Sequence, residues 1–306
     1  AASAEAEQAA LFATFVIGDA ATGAGAGIAA AAAWLDSCPV STEVATTLRP
    51  ITVLIVDSGR PDQPDSLTMK RVLQARTAAP VPMADTSSAG ASLRVRSPDG
   101  FETGDRLITI GRDGTCNASV VTTVTPLTGG VTELGRSPAS FPMPITGLVL
   151  NLGPSAGAST LRFDVASGSL RSTDLSNAGV PNPLVANVVN VKFRYGVDRN
   201  DDGALDEWMA ADAASGMEAA SVLAAPAATL GRIVALRIGV VARSESIDPQ
   251  AAASFRWTLF DCAPAPPTTC PERIEGSITA PPGGGYRYAT RELIIPLYNT
   301  LWNRPT

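Results

Sequence analysis

The densest run of metal-ligating side chains in the 306-residue sequence is Asp198-Arg199-Asn200-Asp201-Asp202-Gly203-Ala204-Leu205-Asp206. Its D-x-N-x-D-G-x-x-D spacing is that of an EF-hand-type calcium loop. Asp198, Asn200 and Asp202 would supply the first side-chain oxygens, Gly203 the sharp turn, Ala204 an inward carbonyl and Asp206 a further carboxylate. Hard oxygen donors suit Ca²⁺, and carboxylates crowded at a strand exit repel one another without a cation. Met209 stands where a bidentate Glu would complete the loop, so the affinity expected is weak, roughly millimolar, and structural in purpose. The same residues also read as a solvated acidic turn after a strand ending at Val197.

Histidine is absent. That removes the commonest general base, the Ser-His and Cys-His nucleophile pairs and the usual zinc or iron ligands. No serine has a placed base, and nothing sets two carboxylates apart for glycoside hydrolysis. Pro281-Pro282-Gly283-Gly284-Gly285 lacks the Gly-Lys-Ser/Thr of a phosphate loop. The chain is therefore expected not to be an enzyme.

The cysteines are Cys38, Cys116, Cys262 and Cys270. An even number with no C-x-x-C pair fits two disulfides better than a metal site. Cys262 and Cys270 bracket APAPPTT, a stiff stretch that a local bridge would close at a gain of roughly 2–3 kcal/mol. Cys38 and Cys116 would then pair by elimination, with four buried thiols as the alternative. Disulfides persist in oxidising compartments, which points to the periplasm or the exterior.

Lys+Arg number 23 against 29 Asp+Glu, giving a formal charge of −6. An acidic balance argues against nucleic acid as a partner, since phosphate binding needs a basic stripe. Hydrophobic residues reach 45% but aromatics only 5%, so the core must be built from small aliphatic side chains. No apolar run attains the 18 or so residues of a membrane span.

These residues need elements to hold them. The spacing predicts an amphipathic helix over residues 3–21 with Ser3 as N-cap, and Leu11, Phe12, Phe15 and Val16 fall on one face of a 3.6-residue period. It ends in ATGAGAG, where glycines are poor helix formers. From Ile51 onward the pattern is β: short alternating or β-branched runs up to Leu170–Thr173, then longer ones at Val185–Val197, Ile233–Ser244, Phe255–Asp261 and Tyr286–Leu297. Ser167-Gly168 reads as a hairpin turn, and residues 206–224 as a second helical or irregular segment. No βαβ alternation appears, so the fold class expected is α+β, one N-terminal amphipathic helix packed on antiparallel sheet. One domain spanning 1–306 is expected: helix 1–24, a first β-rich lobe 25–175 and a second 176–306.

Several stretches, in order, resemble the PilW-type minor pilins of the type IV pilus. Glu7-Gln8-Ala9-Ala10-Leu11-Phe12-Ala13-Thr14-Phe15-Val16-Ile17-Gly18-Asp19 resembles the exposed half of the pilin helix. Pro64-Asp65-Ser66-Leu67-Thr68 resembles the first sheet's P-D-S-L-T strand, and Phe101-x-x-Gly104-Asp105 its F-x-x-G-D turn. Arg194-Tyr195-Gly196-Val197-Asp198 and the run Val234–Ser244 are the most distinctive. Ile295-Pro296-Leu297-Tyr298-Asn299-Thr300-Leu301-Trp302-Asn303 resembles the closing P-L-R-N-x-x-W, with Tyr298 where Arg is usual.

The resemblance implies a pilin-like fold and a structural subunit of a minor-pilin complex that primes pilus assembly and sits near the pilus tip. Its partners would be other minor pilins, the major pilin and a pilus-tip adhesin. Leu11, Phe12, Phe15 and Val16 would lie partly on the protein's own sheet and partly against neighbouring pilin helices. An apolar half-helix ahead of Ala1 would anchor the protein in the inner membrane, facing the periplasm, before it passes to the pilus tip or cell surface. Two other readings share these features: a J-type pseudopilin of a type II secretion system, and a surface adhesive β-module.

Overall fold

The computed structural model describes residues 2–29, 35, 51–72, 80–84, 91–97, 99–111, 116–137, 147–154, 158–177, 179–252, 254–262, 272–279 and 285–302. Helix α1 (Ala2–Thr22) opens the chain. Alanine, the best helix former, fills much of it, and the first positive-φ glycine after it is Gly25 at φ 78°. Because the helix is already under way at Ala2, Ser3 lies in its first turn rather than at its N-cap.

Strands β1 (Val53–Val56) and β2 (Ser66–Val72) come next. Six more follow: β3 (Val81–Pro82), β4 (Ser92–Val95), β5 (Asp105–Gly111), β6 (Cys116–Pro126), β7 (Thr132–Ser137) and β8 (Gly147–Pro154). Then come β9 (Ala158–Ala166), β10 (Ser169–Asp174), β11 (Asn182–Ala186), β12 (Val188–Val197) and β13 (Glu207–Met209). Short helices α2 (Ala219–Ala224) and α3 (Ala227–Leu230) lead into β14 (Ile233–Arg243), β15 (Ser254–Leu259), β16 (Ile274–Thr279) and β17 (Tyr288–Pro296), and α4 (Tyr298–Trp302) closes the described chain.

Among the described residues the strands form four sheets, and every pairing given for them is antiparallel. The orders are β1-β2-β9-β10-β11, β3-β8-β5-β6-β7-β4, β13-β12-β14-β17 and β15-β16. The molecule is mostly β with one long helix, so the helical share is smaller than an even α+β division suggests. The β10–β11 pairing also crosses the expected 175/176 division.

One core unites α1 with the first and third sheets. Ile17 of the helix, Ile55, Leu67, Met69 and Phe163 of the first sheet, and Phe193, Leu236 and Ile238 of the third all belong to it. A second core lies wholly within the six-stranded sheet, around Leu93, Leu107, Val121, Leu134 and Val149. The β15–β16 hairpin packs Trp257 and Leu259 with Val241 of β14, on the side of the third sheet away from α1. Phe260, at φ 60°, ends β15 and puts its ring between the guanidinium groups of Arg194 (5.4 Å) and Arg237 (5.1 Å).

Sequence and structure part company at a few points. The run Val185–Val197 is two strands, broken where Asn187 takes φ 64°. Residues 206–224 hold the irregular stretch and the helix α2 that the sequence suggests, and add the short strand β13. The Ser167-Gly168 turn is present with both residues at positive φ (52° and 72°), as a type I′ turn requires.

Candidate functional site

Helix α1 buries a face of small residues. Ala6, Ala10, Ala13, Thr14, Ile17, Gly18, Ala20 and Ala21 are covered, chiefly by β14 and β17. The seat is close at Gly18, where a Cβ would lie 2.9 Å from Leu293 Cδ2 and that side chain would have to shift. Thr14 meets its own polar demand by donating its hydroxyl to the Leu11 carbonyl at 2.8 Å. The large apolar side chains point the other way. Leu11 is 47% exposed, Phe12 50% and Phe15 61%, and the two rings lie 6.5 Å apart in a stacked arrangement. Val16 alone of the four expected contact residues packs partly against the core. The seat on the sheet is filled mostly by alanine, with Thr14, Ile17 and Gly18 beside it.

The acidic loop folds on itself. Asp198 is fully buried, its N–H donating to the Arg232 carbonyl (2.9 Å). Its Oδ1 accepts the Asp201 N–H and its Oδ2 the Gly203 N–H, both at 2.7 Å. The Asn200 and Asp202 side chains accept the Asp202 and Ala204 N–H groups, and Asp206 Oδ2 accepts that of Arg199 (2.7 Å). Arg199 pairs with Glu207 and Arg232 with Asp201. Backbone donors and arginines thus already occupy carboxylate lone pairs that a cation would otherwise draw inward. Among the described residues no three Cys, Asp or Glu side chains are grouped to hold a metal ion. Cys116 and Cys262 are disulfide-bonded, while Cys38 and Cys270 lie outside the described residues, as do Pro281 to Gly284.

A feature that sequence reasoning missed sits on β12. Lys192, one of two lysines against 21 arginines, is 2% exposed in a strand buried along nearly its whole length. Its Nζ donates to Asp65 Oδ1 (2.8 Å), the Arg60 carbonyl (2.8 Å) and Ser58 Oγ (2.9 Å). Asp65 also accepts the Ser58 N–H (3.0 Å) and the Phe193 N–H (3.3 Å). Burial pushes the Asp65 carboxyl up against the pull of Lys192. The signal was a lysine inside a buried strand, which demands a partner; nothing local names Asp65 as that partner. Beside the pair, a cavity of about 350 Å³ is lined by Asp57, Ser58, Asp65, Arg162, Asp164 and Arg171, with Asp164 held by Arg171 at 2.8 Å.

Residues 156–299 match the family model described as type IV pilus-assembly protein W. That segment, a little under half of the chain, is similar to the PilW family. No curated protein matches it. A type IV-like pilin from Thermus thermophilus is similar at 14% identity, over 65% of this chain and 86% of that one, with a TM-score of 0.27.

The PilW segment runs from β9 to the first turn of α4, so it contains Lys192 and the acidic loop; α1, Asp65 and the six-stranded sheet fall outside it. Its distinctive residues have structural work. The Tyr195 hydroxyl accepts the Ile55 N–H at 2.6 Å, joining two sheets, and burial raises its pKa. Gly196 leaves room for Trp208, whose ring a Cβ would meet at 2.8 Å. Asn299 donates to the Ala24 carbonyl at 3.0 Å and fastens the closing helix to the end of α1. Outside the segment, Asp105 Oδ2 takes the Glu102 N–H (2.8 Å) and Asn151 Nδ2 (2.9 Å), which fixes the F-x-x-G-D turn.

The match over residues 156–299 supports a type IV pilus-related role at the cell envelope. No described helix is long and apolar enough to cross a membrane.

Proposed function

We propose that this chain is a non-enzymatic minor pilin that joins other pilins through α1. The observation that carries the reading is the helix's division of labour. Its small-residue face is used up against β14 and β17, and Leu11, Phe12 and Phe15 remain uncovered on the other side. Side-by-side helix packing buries such a stripe by the ridge-into-groove contact that holds any bundle. In this reading the partners are other minor pilins, the major pilin and a tip adhesin, and the complex primes assembly and rests near the pilus tip. Before assembly the protein is held at the inner membrane, facing the periplasm, by an apolar segment continuous with α1.

Capture assays test this directly. The double variant Phe12→Ser/Phe15→Ser should retain its melting temperature, because both rings are exposed, yet capture co-expressed minor pilins about tenfold less well. Undiminished capture would overturn the reading. Preferential capture of secretion-system pseudopilins would reassign the chain to that machinery.

A further inference from the structure

We infer that the occupant of the α1 stripe is a different chain, one whose apolar face is flanked by Arg or Lys, rather than a second copy of this helix. The inference rests on the docking reading of α1 and adds the chemistry of the partner. Phe15 lies at the centre of the exposed stripe, with Leu11 one turn before it, Asp19 one turn after it and Gln8 two turns before. Glu5 and Glu7 are exposed near its start. The helix therefore carries three acids and no Lys or Arg.

Those acids contrast with the carboxylates elsewhere that are ion-paired. Asp65, Glu133, Asp164, Glu272, Glu292 and Asp248 each have a basic partner. Glu7 and Asp19 have no ion pair among the described residues, and Glu5 accepts only the Glu245 N–H, at 3.4 Å. Two such helices set side by side would bring like charges together around the stripe, a juxtaposition that selects against self-pairing. A basic-flanked apolar face would neutralise Asp19 and the Glu5 and Glu7 end while covering Leu11, Phe12 and Phe15.

Two synthetic helical peptides with the same leucine stripe, one flanked by lysines and one by glutamates, can be titrated onto the whole chain by fluorescence anisotropy. At about 20 mM salt the lysine peptide should bind at least about tenfold more tightly, an advantage that shrinks at about 300 mM salt. Glu5→Gln/Glu7→Gln/Asp19→Asn should lower it to the glutamate peptide's level, and Phe12→Ser/Phe15→Ser should abolish binding of both. Equal binding of the two peptides, abolished by the Phe variant, overturns the charge inference and leaves the docking reading standing. A lysine advantage that survives loss of the three acids also overturns the inference. So does a homodimer in sedimentation that the Phe variant dissolves. Binding of neither peptide overturns the inference and the docking reading together.

Discussion

The helix-bearing frame and the six-stranded sheet are stabilised in different ways. In the frame, α1 and two sheets share a single core, so no one of them can leave without exposing the others. The sheet of β3 to β8 has a core largely of its own, with Ile108, Ile110 and Leu150 also packing with Ile28 and Leu35 beyond α1, and among its strands the closest approach to the frame is where β8 passes into β9. The contrast separates the part that seats α1 from a part that elaborates it. It also follows the family boundary, because the PilW segment begins after the six-stranded sheet.

The hardest blow to the frame should come from Lys192→Met, which leaves Asp65 buried without its cation. A loss of about 3–5 kcal/mol is expected, and hydrogen exchange should rise across α1, β12 and β14 together. Leu134→Ala should cost about 2–4 kcal/mol but act on the other region. Exchange would quicken in β5 to β7 while α1 keeps its protection; a matching loss in α1 would break the distinction.

A milder probe is pH. Burial pushes the Lys70 ammonium down to about 8 from its ordinary 10.5. The folded protein releases this proton before the unfolded chain does, so the unfolded state binds more protons in that window. Stability should therefore rise as pH climbs above about 8, and Lys70→Met should remove the slope. Above pH 10 the buried Tyr195 hydroxyl acts oppositely, since only the unfolded state can ionise it readily.

Calcium should have the smallest effect. We propose that weak binding, if the spacing of Asp198 to Asp206 supports it, adds about 0.4 kcal/mol when the ion equals its dissociation constant, or about 1 °C in Tm. Calorimetry in chelator against millimolar Ca²⁺ checks this, and a rise of many degrees would show a far tighter site than the hydrogen-bonded loop suggests.

Much of this was legible in the sequence. The helix, the Ser92–Val95 strand, the Ser167-Gly168 turn and the long strands ending at Val197 and Arg243 follow from periodicity and turn chemistry. What was not legible depends on distant partners. TELGRS does not advertise β7, because its glycine and charges are tolerated only through pairing with β6 and β4. The orientation of α1 was equally hidden. Hydrophobicity favours burying Leu and Phe, whereas the seat on β14 and β17 is filled mostly by alanine with Thr14, Ile17 and Gly18, so tertiary fit overrode side-chain preference.

The chain leaves the frame at Val72 and returns at Ala158, two residues that face each other across the antiparallel β2–β9 pair. Both ends of the excursion therefore start from one doorstep, and a tight turn could join them. Material added or removed between those positions need not disturb the strand register on either side. The helix-bearing frame has, in effect, a socket: one place where a whole sheet can be exchanged while the helix and its neighbours stay as they are.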